Sequence, residues 1–391
     1  MLTDELIKTI LSDWSFWHSE PPQGLVRQVA LPQKLHADLV LVIQGVRRCG
    51  KSTLMTQLPK HYDLPLMQCY YCNFEDPRLL SELEHGLLSR IVKLAREVIP
   101  MDQPCYFFFD EIQEVHGWEK WLHAQLERPK QNYFILTGSN SRLLDDKYGM
   151  ALTGRHITLE LFPFSLAEYQ MVCPEKTLDQ YLVAGGFPRT LTFEQPYKLL
   201  QEYFNDIILR DVVKLVHGRS PDSIKQVAKM TFDSCGSELS YRKIAGVTGL
   251  TVDTVKAYLE ACERAYLLFA CQFFSFSEKI RSLRQKKYYP IDPGLRYAIT
   301  STVGRDLGKS LEMLVYLQLR KTNEQVFYWQ EVQQGEVDFV TVNGSSITPY
   351  QVTLVEPAER HVTALQNFYA NFPQANEAVL ITRENAAQFL L

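Results

Sequence analysis

Cysteines and long apolar runs are both scarce in this sequence. Eight cysteines scattered over 391 residues are too few for a disulfide framework, which excludes the small disulfide-stapled secreted folds. The longest nearly apolar run, Ala265 to Phe276, has about 12 residues, whereas a membrane span needs about 20. Asp4 and Glu5 stand where a signal peptide would carry positive charge. We therefore expect a reduced, cytoplasmic chain without a membrane segment.

The sequence also lacks a marked excess of charge of either sign. Its 41 basic and 45 acidic residues give a net charge of −4 and a pI of about 6.2. A nucleic-acid partner would have to be bound by a local basic patch, because the overall field does not attract a polyanion. No internal repeat is visible, and the apolar share of 46% is enough for the cores of two or three domains.

Short strands alternate with helical stretches from Ala37 to about Phe164. The strands are predicted at Leu39–Gln44, Met67–Phe74, Cys105–Phe109, Tyr133–Leu136 and His156–Leu161. Several of them are apolar throughout, as in a parallel sheet that is covered by helices on both faces. This part of the chain is therefore predicted to be a three-layer α/β domain.

A phosphate-binding loop follows the first of these strands. Gly45 to Ser52 match the pattern G-x-x-x-x-G-K-[ST] between a predicted strand and a predicted helix. Backbone amides of such a loop surround phosphate, Lys51 would reach the β- and γ-phosphates, and Ser52 would ligate Mg²⁺. The predicted ligand is ATP or ADP with Mg²⁺. The predicted nucleotide-binding residues are Gly45, Val46, Arg47, Arg48, Cys49, Gly50, Lys51, Ser52 and Thr53.

The loop cysteine has two interpretations. A thiol at a helix N-terminus has a lowered pKa, so Cys49 could be sensitive to oxidation. The alternative is a cysteine that is simply packed in the protein interior.

Two adjacent carboxylates end the third predicted strand. Asp110 and Glu111 follow three phenylalanines, and burying them is costly unless a cation lies nearby. Asp110 is predicted to hold Mg²⁺ through its water shell. Glu111 is predicted to be the catalytic residue that polarises the attacking water, either as a general base or by positioning it.

Three further residues are candidates for catalysis. Ser139 and Asn140 end the fourth strand, where they could sense the γ-phosphate or orient the water; a plain strand-to-turn transition is the alternative. Arg155 precedes the fifth strand and could donate its charge to the γ-phosphate of a neighbouring subunit in a homo-oligomer. A surface arginine is the alternative for Arg155.

The whole chain resembles a large prokaryotic family of AAA-like P-loop ATPases, often labelled archaeal-type ATPases, whose members pair the ATPase with a C-terminal domain of obscure role; the matching strings span most of the first 210 or so residues. The strings that carry this resemblance are 45–52, 72–78, 109–113, 136–140, 152–155, 162–165 and Gly185-Gly-Phe-Pro188. The resemblance implies ATP or ADP binding, slow hydrolysis, and a contact between Pro188 and the nucleotide base. Read physically, Gly185-Gly186 is also a helix breaker.

Residues 240–260 look like the helix-turn-helix of a winged helix. The first helix is predicted to end at Gly246, and a turn containing Gly249 leads into the second. The predicted buried stripe of the second helix is Val252, Val255, Leu259 and Cys262. Its predicted exposed face is Thr251, Asp253, Thr254, Lys256 and Glu260, which mixes both charge signs and is weak for a DNA reader.

A basic cluster follows in the predicted wing. Together with Lys256, the candidate nucleic-acid contacts are Lys279, Arg281, Arg284, Lys286 and Lys287. Such a cluster could neutralise several phosphates of DNA. The alternatives are a solvated hairpin and a module that docks a protein partner.

The tail resembles a restriction-endonuclease-like domain. Such domains place a helix Glu, a strand Asp and a [DE]-x-K around a divalent metal ion. Glu312 and Asp338 match the first two elements, but the third reads Gln351-Val-Thr353, so one carboxylate and the lysine are replaced. We therefore expect a nuclease-like fold with a degenerate site and without cleavage. Glu312 and Asp338 could be relics or could still bind nucleic acid weakly.

Three domains are predicted in total: an ATPase domain with a helical extension (1–220), a winged helix (221–300) and a nuclease-like domain (301–391). The predicted function is a Mg²⁺-dependent ATPase that couples nucleotide state to contacts of its C-terminal modules with DNA or a partner. Two alternatives stay open. One is a slow, nucleotide-gated switch that binds proteins, and the other is an active metal-dependent DNA nuclease.

Overall fold

Two compact units make up the chain in its computed structural model. The structure describes residues 2–15, 24–127, 131–139, 154–216, 220–301, 306–331, 335–355 and 357–390. The first unit ends at Phe162 and the second begins at Pro163. None of the described helices is both long and apolar enough to cross a bilayer.

The first unit is built on a five-stranded parallel sheet. Its strands are β1 (Val40–Gln44), β2 (Cys69–Asn73), β3 (Cys105–Asp110), β4 (Asn132–Gly138) and β5 (His156–Glu160). Its helices are α1 (Asp4–Trp14), α2 (Lys51–His61), α3 (His85–Val98) and α4 (Trp118–Glu127). Each strand lies within two residues of its predicted bounds, so the predicted parallel α/β fold is confirmed.

The strand order is β2-β3-β4-β1-β5, with β4 between the strand of the phosphate-binding loop and the strand of the two carboxylates. In register, Gln44 pairs with Gly138, and Phe109 pairs with Leu136. Because all these strands are parallel, their carboxyl ends meet at one edge of the sheet, which is where ligands bind in open α/β folds.

An aromatic core holds β3 and β4 against α4. The rings of Phe107 and Phe134 stack with centroids 5.4 Å apart, and Trp121 packs edge-on against Phe134 at 5.6 Å. Phe107 and Phe109 have no exposed surface. Burying each such ring contributes about 1.5–3 kcal/mol, which anchors the strand that carries Asp110.

The second unit begins with helices. They are α5 (Leu166–Val172), α6 (Leu178–Ala184), α7 (Pro196–Asp206), α8 (Pro221–Asp233), α9 (Tyr241–Thr248) and α10 (Val252–Arg264). A π-helical stretch, Ile207–Val212, and one last α-turn, Val213–Leu215, continue α7. The predicted helix-turn-helix corresponds to α9 and α10, with Gly249 as the left-handed C-cap at φ 69°.

A six-stranded sheet completes the second unit. Its strands are β6 (Leu268–Phe273), β7 (Lys287–Pro290), β8 (Gln325–Glu331), β9 (Gly335–Asn343), β10 (Ser346–Val352) and β11 (Val379–Ile381). The order is β11-β10-β9-β8-β6-β7. The remaining helices are α11 (Glu278–Leu283), α12 (Pro293–Ile299), α13 (Leu307–Thr322), α14 (Glu359–Asn371) and α15 (Arg383–Leu390). Strand β6 pairs in parallel with β8, so this sheet crosses the predicted domain boundary near residue 300.

The helices that follow Pro163 belong to the second unit. The loop after α6 and the loop before α12 approach each other closely there. The backbone amide of Gly186 donates to Asp292 Oδ2 at 2.7 Å. A Cβ on Gly185 would lie 2.1 Å from Asp292 Oδ1, and one on Gly294 would lie 2.2 Å from the Ala184 carbonyl oxygen. This contact joins α6 to α12 within the second unit. The sequence instead predicts that α6 belongs to an ATPase domain that extends to residue 220. The three-domain division stays a prediction.

Replacing Gly185 with alanine should destabilise the second unit by about 3 kcal/mol or more, because a left-handed φ of 73° and a clash with Asp292 act together. Gly249→Ala is the control for an alanine at positive φ without a clash; its ψ is 16°, whereas the ψ of Gly185 is −174°. The φ of Gly249 is 69° but no heavy atom lies within 4 Å of the added Cβ, so backbone strain of about 1–2 kcal/mol acts alone. Chemical denaturation measures both values, and equal losses would contradict the close-approach explanation.

Candidate functional site

The phosphate-binding loop lies at the carboxyl edge of the first sheet, and its glycines allow a close turn. A Cβ on Gly45 would lie only 2.1 Å from the carbonyl oxygen of Leu161. Gly50, the N-cap of α2, has a φ of 101°. Arg27 fastens the loop from outside by donating to the Cys49 carbonyl at 2.9 Å and to the Phe162 carbonyl at 2.8 Å. The loop therefore has the geometry that its motif predicts.

Lys51 is buried at the base of this loop. Its ammonium donates to the carbonyl oxygens of Gly45 at 3.1 Å and Val46 at 3.3 Å. The same nitrogen lies 3.8 Å from Glu111 Oε1, and the side chains of both residues are at most 9% exposed. The loop thus carries a fixed positive charge beside the carboxylates that end β3.

Asp110 is surrounded by hydroxyl groups. Tyr71 donates to its Oδ2 at 2.6 Å, Thr137 donates to its Oδ1, and Ser52 also forms a hydrogen bond with it. Burial raises the pKa of Asp110 and the adjacent Glu111 raises it further, although the three hydroxyl groups oppose this shift. Ser52 and Asp110 are brought together as predicted, and their hydroxyl and carboxylate oxygens are ligands that Mg²⁺ prefers.

Glu111 has the opposite balance. Burial acts to raise its pKa, but Lys51 and Arg47, helped by hydrogen bonds from Gln113 and Ser139, outweigh burial and hold the pKa below its usual value. The residue sits at φ 55°, and its backbone amide donates to Thr137 Oγ1 at 2.9 Å. Glu111 is therefore an ionised carboxylate in a fixed position at the edge of the sheet.

The other loop residues are partly committed to contacts within the protein. Arg47 is buried and pairs with Glu75 at 3.0 Å. Arg48 adopts a left-handed φ of 72°. Cys49 is fully buried and donates to the Leu161 carbonyl at 3.3 Å. Burial raises the pKa of its thiol, so the interpretation as an oxidation-sensitive thiolate is wrong and the packed cysteine is correct.

Of the remaining catalytic candidates, Ser139 lies near the loop and Arg155 does not. Ser139 is buried beside Glu111, at the same edge as the loop. Asn140 lies outside the described residues. Arg155 lies at the opposite end of the sheet from the loop, since its carbonyl accepts from Val40, the first residue of β1. Its Nη1 is buried and has no hydrogen-bond partner among the described residues. Within one chain, Arg155 is not brought to the loop.

Comparisons with known proteins agree with this geometry. Residues 37–170 match the profile of an AAA domain, and residues 175–306 and 307–390 match two domains of unknown function, DUF8612 and DUF4143. The uncharacterized protein MJ1544 of Methanocaldococcus jannaschii is 31% identical over 335 residues, which are 78% of this chain and 73% of that protein. The chain belongs to the AAA-like P-loop ATPase family.

More distant comparisons add less. An uncharacterized protein of Haemophilus influenzae is 27% identical over 345 residues, which are 83% of this chain and 85% of that protein. The crystal structure of Cdc6p from Pyrobaculum aerophilum is 11% identical in sequence, and the match covers 68% of this chain and 86% of the Cdc6p chain. Their TM-score of 0.28 is too low to support any conclusion.

Most basic residues of the predicted wing contact other side chains of the second unit. Lys279 is exposed on α11, and Lys286 is half-buried. Arg281 pairs with Glu278, and the guanidinium of Arg284 lies 4.3 Å from the centroid of Phe273. The surface role predicted for Lys287 is wrong, because this residue is fully buried on β7.

The exposed face predicted for α10 is mostly confirmed. Thr251, Asp253, Lys256 and Glu260 are exposed, and the ammonium of Lys256 lies 6.0 Å from the centroid of Tyr241. Thr254 was also expected on this face but is buried, because its backbone amide and hydroxyl close the N-terminal turn against Thr251.

A second group of carboxylates lies in the tail. Glu312 on α13 and Asp338 on β9 come together as predicted, and Glu336, two residues before Asp338, joins them. One carboxylate oxygen from each residue lies within 4.8 Å of the others. Gln351 Nε2 donates to Asp338 Oδ2 at 2.6 Å, whereas half-buried Thr353 donates its backbone amide to Ile381.

This second cluster has a lysine after all. The ammonium of Lys287 pairs with Glu336 and lies 3.8 Å from Glu312 Oε1. Burial alone would lower its pKa, but the three surrounding carboxylates outweigh burial and raise it. The expectation that the site has lost its cation is therefore wrong, because β7 supplies a lysine from outside the sequence motif.

Sequence reasoning missed four contributors: Tyr71, Thr137, Glu336 and Lys287. Tyr71 and Thr137 reach Asp110 from neighbouring strands, and only the register of the sheet reveals this. The period of two along a strand could have indicated Glu336, since it shares a face with Asp338. Nothing local indicated Lys287, which was counted with the surface cations around it.

Thr137→Val should lower the stability of the first unit by about 1–3 kcal/mol, because it removes the hydroxyl that donates to Asp110 Oδ1 and leaves the buried Glu111 amide without its acceptor. Valine keeps the volume of threonine, so packing stays nearly constant. Thr137→Ser keeps the hydroxyl and should retain most of the hydrogen-bonding term. Urea denaturation of both variants measures the difference, and a valine variant as stable as wild type would contradict this role.

Proposed function

We propose that the AAA domain binds ATP together with Mg²⁺ at residues 45–53 and hydrolyses it to ADP and phosphate. The observation that carries this proposal is the buried group formed by Lys51, Asp110 and Glu111 at the carboxyl edge of the sheet. A lysine at the base of the loop and an ionised carboxylate beside it are the parts that a P-loop ATPase uses.

Each residue of this group has a separate role in the proposal. Lys51, now held by loop carbonyls, is within reach of a phosphate that the loop amides would bind. Ser52 and Asp110 would hold Mg²⁺, which neutralises phosphate charge when it is bound. Glu111 orients a water molecule and takes up its proton as the water oxygen adds to the γ-phosphorus and the bond to the bridging oxygen breaks.

Arg155 and Pro188 are included in the proposal as predicted nucleotide contacts. Arg155 would serve the γ-phosphate of a neighbouring subunit, since it lies far from the loop of its own chain. Pro188 would contact the nucleotide base, as the family resemblance implies. It begins a 3₁₀ segment, Pro188–Leu191, which is separated from the two glycines by Phe187.

Glu111→Gln should bind ATP about as tightly as wild type but lose hydrolysis by about 100-fold or more, because the amide cannot take up the proton. Lys51→Ala should lose nucleotide binding itself, since it removes the charge at the base of the loop. Calorimetric titration of the nucleotide and a phosphate-release assay separate the two effects. Tight ATP binding by Lys51→Ala, or turnover by Glu111→Gln at the wild-type rate, would overturn the proposal.

We also propose that nucleotide state controls contacts between the C-terminal modules and DNA or a protein partner. The exposed Lys256 and Lys279 and the half-buried Lys286 support DNA as the partner. The burial of Lys287 and the ring contacts of Arg281 and Arg284 favour the alternative, a slow switch that binds proteins, because they leave fewer cations for phosphates.

Duplex DNA should raise the ATPase rate several-fold at low salt if DNA is the partner, and the paired substitution Lys256→Ala with Lys279→Ala should remove that stimulation. Lys60→Ala is a matched control, because this lysine is exposed but lies in the first unit. Turnover is measured with and without DNA at two salt concentrations. A rate that ignores DNA throughout supports the protein-binding switch instead.

A further inference from the structure

The cluster of three carboxylates in the second unit carries more negative charge than the neighbouring side chains neutralise. Three carboxylates, those of Glu312, Glu336 and Asp338, converge on one point. Lys287 contributes a single positive charge to them. If all four groups are ionised, two negative charges remain uncompensated in a largely buried place, which is costly unless a cation joins them.

Neutral hydrogen-bond donors hold two of these carboxylates in place. Tyr289 donates to Glu312 Oε1 at 2.7 Å, and the Val352 amide donates to Asp338 Oδ2 at 2.7 Å. These neutral donors orient two of the carboxylates without cancelling their charge.

A buried amide oxygen gives a second, independent indication of a ligand. Gln351 is 3% exposed, and its Nε2 is bound to Asp338. Its Oε1 is buried and has no hydrogen-bond partner among the residues that the structure describes. A buried acceptor without a partner calls for a ligand such as an ion. Gln351 lines the same cavity as Glu312, Glu336 and Asp338.

The cavity that these residues line favours a cation over an anion. It has a volume of about 810 Å³. Five carboxylates line it, against the two strongly basic side chains of Lys309 and Arg360. Lys309 donates to Ser237 Oγ at 2.9 Å, which commits that ammonium to the protein. The donor atoms of Glu312, Glu336, Asp338 and the Gln351 amide carbonyl are all oxygens, and hard divalent cations such as Mg²⁺ and Mn²⁺ prefer oxygen donors.

We propose that Glu312, Glu336, Asp338 and the amide oxygen of Gln351 bind one divalent cation of the Mg²⁺ or Mn²⁺ class, beside the fixed ammonium of Lys287. Glu336 supplies the carboxylate that position 351 lacks, because residues two apart on a strand share a face. Lys287 supplies, from β7, the ammonium that position 353 lacks. All of these residues belong to the second unit, and the proposal does not depend on the nucleotide site.

Mn²⁺ binding to the nucleotide-free full chain tests this proposal, with free Mn²⁺ followed by electron paramagnetic resonance. We expect one bound ion in the wild type and in Asp110→Asn, which disables the metal site of the AAA domain. Glu336→Gln and Asp338→Asn should each weaken this binding by about tenfold or more. Glu359→Gln, which changes an exposed carboxylate on α14, is the matched control and should bind as the wild type does.

Stability measurements keep the result interpretable. Glu336 is the ligand whose side chain is most exposed, at 34%, so Glu336→Gln is the variant least able to disturb the fold. Mn²⁺ should raise the melting temperature of the wild type and of Asp110→Asn but not that of Glu336→Gln. Lys287→Met should bind Mn²⁺ more tightly if it folds, because the competing ammonium is gone. Absence of an Mn²⁺ ion that survives Asp110→Asn, or wild-type binding by Glu336→Gln, would overturn the proposal.

Discussion

Burial of a lysine among carboxylates is the constraint on which both sites of this chain depend. Lys51 lies 3.8 Å from Glu111 in the first unit, and Lys287 lies 3.8 Å from Glu312 in the second. Removing one member of such a group leaves a buried charge uncompensated, at a cost of about 3–5 kcal/mol. Each lysine therefore holds a neighbouring carboxylate in place beside a proposed ligand site.

The two sites bring lysine and carboxylates together in sheets of different topology. In the first unit, parallel strands bring their carboxyl ends to one edge, so a loop after β1 and an acidic pair after β3 become neighbours although β4 lies between them. Hydroxyl groups from β2 and β4 then fix Asp110. In the second unit, mixed strands and α13 bring together residues that are far apart in sequence, and β7 adds the lysine from the far edge of the sheet.

Much of the first unit could be predicted from residues alone. The apolar runs located all five strands, and the pattern from Gly45 to Ser52 located the loop, because each of these signals is local. The supporting contacts could not be predicted in this way. Tyr71 and Thr137 reach Asp110 only through the register of adjacent strands.

By itself, the sequence determined the chemistry of the phosphate-binding loop, the acidic pair beside it and the parallel α/β class, because short patterns with a fixed backbone consequence specify them. Only the tertiary structure decided which charged side chains are buried and which partners they have. It buried Lys287, which looked like a surface cation, and brought it to Glu336 and Glu312. It also buried the Cys49 thiol. Burial and long-range pairing arise from packing between distant segments, which no local pattern encodes.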